Sequence, residues 1–176
     1  MGYAFTHIIG GWIVGKIWEK VTKKKLNKIM WFCLLLGAIL PDIDTLIDKI
    51  IEGEYHRTFT HSILFGLFIP IIVFLILNFI KGINPNLTKK INIKHISIAL
   101  LIGIFTHITI DFFGIPGVPL FWPLETYFGH TGIIIIQTSI VREYPLFDGG
   151  ELILLFDMIL GAGWILFLTL RGKLRP

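Results

Sequence analysis

The sequence predicts an all-α protein: a polytopic helical membrane bundle of about five transmembrane helices, with a long non-cytoplasmic segment between the last two. Three observations carry this expectation. The 176-residue chain is 54% hydrophobic with a mean hydropathy of +0.77, whereas soluble domains average roughly 45–50% apolar even with glycine counted. Ser62–Ile80 contains no charged residue, and Leu152–Leu170 contains just Asp157; about 20 apolar residues suffice for a helix to cross a ~30 Å hydrocarbon core. All but three of the 16 lysines and arginines fall in alternate connections between apolar runs.

The elements follow in order. The first helix is Tyr3–Trp18, short for a full span. The second is Ile29–Ile47, the third Ser62–Ile80, the fourth His95–Phe113 and the fifth Leu152–Leu170. The segment Gly114–Glu151 is rich in Gly, Pro and aromatics. Its β-branched stretch Ile133–Val141 is too short to span and reads as interfacial or packed on the bundle. The first residues lack a basic n-region and an A-x-A-like cleavage site, so they read as a retained helix rather than a signal peptide. The whole chain, 1–176, reads as one integral-membrane domain. Cys33, the single cysteine, has no intrachain partner and leaves the redox compartment open.

The lysines set the topology. Lys16, Lys20, Lys23, Lys24, Lys25 and Lys28 lie between the first two helices, Lys81, Lys89, Lys90 and Lys94 between the third and fourth, and Arg171, Lys173 and Arg175 after the fifth. Only Lys49, Arg57 and Arg142 fall on the other side. By the positive-inside rule the lysine-rich connections are cytoplasmic. The net charge of +4 is therefore a topology signal, and no nucleic-acid partner is expected. The chain is expected in the cell (inner, cytoplasmic) membrane.

Ionisable residues inside membrane helices are costly and mark functional sites. His7 lies in the first helix, Asp42 and Asp44 in the second, and His107 and Asp111 in the fourth; His56, Arg57 and His61 lie on the loop into the third. A single buried histidine is ordinarily a helix–helix hydrogen-bond partner. Here, however, every one of these residues sits toward the same, extracytoplasmic end of its helix. His107 and Asp111 are four residues apart and share a face, which Gly103 extends. His7, Gly11 and Gly15 share another face, and small residues at that spacing let helices approach closely. Pro41 loosens the second helix just before Asp42 and Asp44.

Mixed imidazole and carboxylate donors suit a divalent metal, zinc first, with manganese or iron as alternatives. One or two ions are open. Two-metal sites clamp the attacking and leaving oxygens of a phosphoester, and Arg57 is placed to hold a phosphate oxygen.

The combination of His7, Leu40-Pro41-Asp42-Ile43-Asp44, His56-Arg57-x-x-Thr60-His61-Ser62 and His107-x-x-x-Asp111 resembles the YdjM-like family over nearly the whole chain. That family is described as inner-membrane metal-dependent hydrolases and also as LexA-binding proteins. The segment Gly114–Leu124, with its Pro-rich stretch Val118–Leu124, is similar to the family's segment after the fourth-helix aspartate. A more distant similarity is to the all-α zinc phospholipases C and zinc nucleases, through His7, Asp42 with His56, and His107 with Asp111. The further H-x-x-x-E/D pair that those enzymes use for a third metal has no counterpart here.

The resemblance implies a metal-dependent, phosphoesterase-like hydrolase working at the membrane surface on a phospholipid or other amphiphilic phosphoester. His7, Asp42, His56, His107 and Asp111 are then metal ligands. Asp44 is a ligand or general base, His61 a ligand or general acid, and Arg57 the phosphate grip. Two other classes stand beside it: a metal-binding membrane transporter, and a non-catalytic membrane interaction protein. The oligomeric state is not legible.

Overall fold

The computed structural model describes residues 4–51, 58–89, 91–114, 117–124, 129 and 149–171. Every regular element among them is helical. In order these are α1 (Ala4–Thr22), α2 (Lys28–Gly37), a 3₁₀ turn (Leu40–Asp42), α3 (Ile43–Ile51), a second 3₁₀ turn (Phe59–His61), α4 (Ile63–Ile83), the single turn α5 (Pro85–Thr88), α6 (Ile93–Phe112) and α7 (Gly149–Leu170).

Two helices among the described residues are long and apolar enough to cross a membrane: Ile63–Ile83 and Ile93–Phe112. The expected second crossing, Ile29–Ile47, is instead interrupted. Proline lacks an N–H and disfavours α geometry in the residue before it. Accordingly α2 ends at Gly37, the chain turns, and Pro41 is the middle residue of the 3₁₀ turn that leads into α3. The first helix runs further than expected, through Thr22.

Side-chain caps mark several starts. Asn27 accepts from the amide of Met30 at 2.9 Å and Asn92 from that of His95 at 3.2 Å. Ser62 accepts from the amide of Phe65 at 3.2 Å while its hydroxyl donates to the carbonyl of Phe59 at 2.6 Å. Each satisfies a donor that the first turn of a helix leaves orphaned.

The bundle is organised around α6, which packs on α1, α2 and α4; α1 also packs on α2 and α7. The α2–α6 contact is backbone to backbone. A Cβ on Gly103 would collide with the carbonyl oxygen of Leu34 and lie 2.9 Å from the Cα of Gly37 and 3.0 Å from the nitrogen of Ala38. A Cβ on Gly37 would meet the carbonyl oxygen of Leu100 at 2.5 Å. The expected small-residue face of α1 is also present: His7, Gly11 and Gly15 are buried on one side, where a Cβ on Gly11 would lie 2.9 Å from that of Ala38.

Leu34, Ala99, Leu100 and Ile104 fill the interior, with Phe65, Ile108 and Val118 beside them. Val118 brings part of the segment after α6 back over the bundle, and the carbonyl of Leu120 accepts from the amide of Ile63 at 3.0 Å. On α4, Leu64, Leu67, Phe68, Ile71, Phe74 and Leu75 point outward and exposed. A continuous apolar surface of this kind suits lipid rather than water. The stretch Ile133–Val141 lies outside the described residues.

Candidate metal centre

Five of the predicted ligand-type residues meet at one end of the bundle, where α1 starts, α2 has ended, α4 is about to start and α6 is finishing. His7 sits in the first turns of α1. Asp42 closes the 3₁₀ turn after α2, and His61 closes the turn that delivers the chain to Ser62. His107 and Asp111 lie one turn apart near the end of α6. The Gly37–Gly103 contact sets the depth, because it holds His107, one turn beyond Gly103, against the backbone of Ala38.

The contacts are polar and mutual. Nε2 of His61 lies 3.2 Å from Oδ2 of Asp111, 3.7 Å from Oδ1 of Asp42 and 3.2 Å from Nε2 of His107. Nε2 of His107 lies 3.5 Å from Oδ1 of Asp42 and 3.7 Å from Oδ2 of Asp111. Nε2 of His7 lies 3.5 Å from Oδ1 of Asp111 and 4.0 Å from Oδ2 of Asp42. The rings of His7 and His107 are stacked, with centroids 3.8 Å apart. All three imidazoles and Asp111 are buried, and the Asp42 side chain is 26% exposed.

The orientation of two rings is set from behind. Nδ1 of His107 is 2.8 Å from the carbonyl oxygen of Ala38. A carbonyl only accepts, so Nδ1 carries a proton, and the ring is turned so that Nε2, the nitrogen available to a metal, faces the cluster. Nδ1 of His61 faces Oδ2 of Asp44 at 3.3 Å and the hydroxyl of Thr60 at 3.0 Å, and that hydroxyl also donates to Asp44. Burial alone would lower the pKa of His61, but its hydrogen bonds with Asp111, Asp42 and Asp44 raise it to about 10. The cluster thus attracts positive charge, which a proton or a metal cation can supply.

His7, Asp42, His107 and Asp111 each offer a ligand atom, and these atoms all lie within 4.8 Å of one another, a cluster suited to metal binding. His61 joins the same cluster through Nε2. Asp44 lies on the far side of the His61 ring. His56 and Arg57, a predicted ligand and the predicted phosphate grip, lie outside the described residues.

Two participants escaped sequence reasoning. Thr60 is visible only as part of the H-R-x-x-T-H-S string, and the Ala38 carbonyl is a backbone atom that no side-chain pattern announces. Asp157 of α7 has a definite place as well. Its carboxylate accepts from the amides of Phe5 at 3.1 Å and Thr6 at 2.7 Å, capping α1 directly before His7.

Residues 1–171 match the family described as YdjM inner membrane protein. The chain belongs to that family. It is thus an inner-membrane-family protein with a buried His/Asp group suited to a metal. The uncharacterized protein YvsG of Bacillus subtilis (strain 168) is 30% identical over 99 residues, a match spanning 50% of this chain and 53% of that protein. The chain therefore spans about half the length of the curated relative it matches. No solved structure matches.

Proposed function

We propose that this YdjM-family chain is a membrane-bound hydrolase that uses a divalent metal, zinc by preference, to cleave a phosphoester at the membrane surface. The observation that carries the reading is the spacing of four donor atoms. His61 Nε2, His107 Nε2, Asp42 Oδ1 and Asp111 Oδ2 lie 3.2 to 3.7 Å apart along the contacts given above. These are five of the six separations among the four atoms, and donor atoms about 3.5 Å apart are spaced as ligands about 2.1 Å from a shared ion would be, the length of an ordinary zinc–nitrogen or zinc–oxygen bond.

A bound ion supplies Lewis acidity toward a phosphoryl oxygen and toward water. The chain supplies the rest. Ala38 holds His107 in the ligating tautomer. Asp44 and Thr60 orient His61, which favours a positioning role for Asp44 over direct ligation. Asp42, the partly exposed member, faces the side from which substrate arrives. Arg57 and His56, four and five residues ahead of His61, keep their assignments as phosphate grip and further ligand.

Depth supports an amphiphilic substrate. The cluster lies at the ends of apolar helices; in a bundle that spans the bilayer such an end comes near the lipid headgroups, where a phospholipid presents its phosphate. The lysine distribution supports five crossings with the cluster on the extracytoplasmic side. The interior beyond the cluster is filled by Leu34, Ala99, Leu100 and Ile104, which favours a closed site over an ion pathway.

The test is purification in detergent, metal analysis, and assay against a panel of phosphodiesters and phospholipids. A transition metal should copurify, and His107→Ala should lose both metal and hydrolysis. Absence of any transition metal from active wild-type protein, or His107→Ala with unchanged metal and activity, overturns the proposal.

A further inference from the structure

The cluster contains more order than a single ion requires. Asp111 turns Oδ1 toward His7 and Oδ2 toward His61 and His107. Asp42 divides in the same way, Oδ2 toward His7 and Oδ1 toward the other two histidines. Both carboxylates therefore stand between two nitrogen groups and offer one oxygen to each. This is the arrangement of bridging carboxylates.

The rings give an independent observation. An imidazole lone pair lies in the plane of its ring, so a well-bound ion lies near that plane. His7 and His107 are stacked with centroids 3.8 Å apart and planes only 20° from parallel. Planes so disposed do not converge near the two nitrogens. An ion in the plane of His107 is far out of the plane of His7, and an ion midway is poorly placed for both. Two ions, one in each plane, would stand about as far apart as the rings do, and two-metal hydrolytic sites hold their ions ~3.5–4 Å apart.

We infer that His7 is the nitrogen ligand of a second divalent cation, bridged to the first by Asp42 and Asp111. The first subsite is His61, His107, Asp42 Oδ1 and Asp111 Oδ2; the second is His7, Asp42 Oδ2 and Asp111 Oδ1. The second has three protein ligands, which leaves coordination positions for substrate or water. This rests on the proposed metal centre but not on the reaction assigned to it.

The experiment uses the full chain in detergent, loaded with Mn²⁺ or Zn²⁺ alone and freed of loose ions by gel filtration. Ions per chain are counted by mass spectrometry, and the Mn²⁺ protein is examined by electron paramagnetic resonance. Wild type should hold about two ions and show an exchange-coupled manganese signal. His7→Ala should hold half as many, with the signal of an isolated ion. His7→Gln, which keeps a polar side chain of similar reach, should behave alike and covers the case in which the alanine variant does not fold.

A wild type that saturates at one ion, or a folded His7 variant that keeps the coupled signal, overturns the inference. Two coupled ions without hydrolysis of any phosphoester leave this inference standing and remove the proposed activity. One ion with hydrolysis does the reverse.

Discussion

The helix α1 buries a charged or ionisable group at each end, and the two ends handle it differently. Toward the lysine-rich end, Glu19 accepts from the amide of Leu26 at 3.0 Å and pairs with Lys16 at 3.1 Å and Lys25 at 3.6 Å. Its partners are donors, and all lie within seven residues of it. At the other end His7 meets Asp42, Asp111 and His107, drawn from two other segments, and His61 completes the cluster from a third. There, carboxylate oxygens crowd against the Nε2 atoms of three rings. Donors facing an acceptor satisfy Glu19, whereas three imidazoles gathered on two carboxylates form a group that attracts positive charge, from a proton or a metal cation. A buried ionisable residue in an apolar helix is therefore not itself a site; the chemistry of what faces it decides.

Substitutions can break this contrast. The largest effect is expected from His107→Ala, which removes a nitrogen ligand. Bound metal should fall to background and phosphoester hydrolysis by more than about 100-fold, beyond the usual cost of losing a mere supporting group. Metal analysis and initial rates read both.

Asp44→Asn tests whether the group behind His61 matters as much as those in front. The asparagine keeps the shape but loses the charge, so metal affinity should drop by about 10- to 100-fold with the fold intact. Chelator competition measures it, and an unchanged affinity would demote Asp44 to a packing residue.

Gly103→Ala strikes the contact that sets the depth of His107. The added methyl collides with the Leu34 carbonyl, so α2 and α6 must separate, at a cost of about 1–3 kcal/mol. Thermal unfolding in detergent should register the loss, with weakened metal binding beside it.

Asp157→Ala removes the carboxylate that caps α1 next to His7. A lost cap costs ~0.5–2 kcal/mol, and a looser His7 should lower metal occupancy modestly. The smallest effect belongs to the opposite end. Glu19→Gln retains an oxygen for the Leu26 amide and gives up only the lysine pairs, at about 1 kcal/mol or less. Metal content should not change. If it does, the two ends are coupled through α1 and the contrast fails.

Much of this was legible without coordinates. Apolar runs of spanning length and alternating lysine loops announce an α-helical membrane chain, since a bilayer admits only segments that satisfy their own backbone. Helical periodicity puts His107 and Asp111 on one face with Gly103, and puts His7 with Gly11 and Gly15. These are local properties, set by 3.6 residues per turn.

The tertiary structure decided the rest. Pro41 signals a loosening, but not that α2 stops at Gly37 and hands Asp42 to a separate 3₁₀ turn. Periodicity does not say which oxygen of Asp111 faces which ring, that Ala38 lends its carbonyl to His107, or that an aspartate 152 positions along the chain caps the amide of Phe5. Such pairings depend on how closely the helices approach. That distance is set where the glycines of α2 and α6 let two backbones touch, and no single segment contains the information.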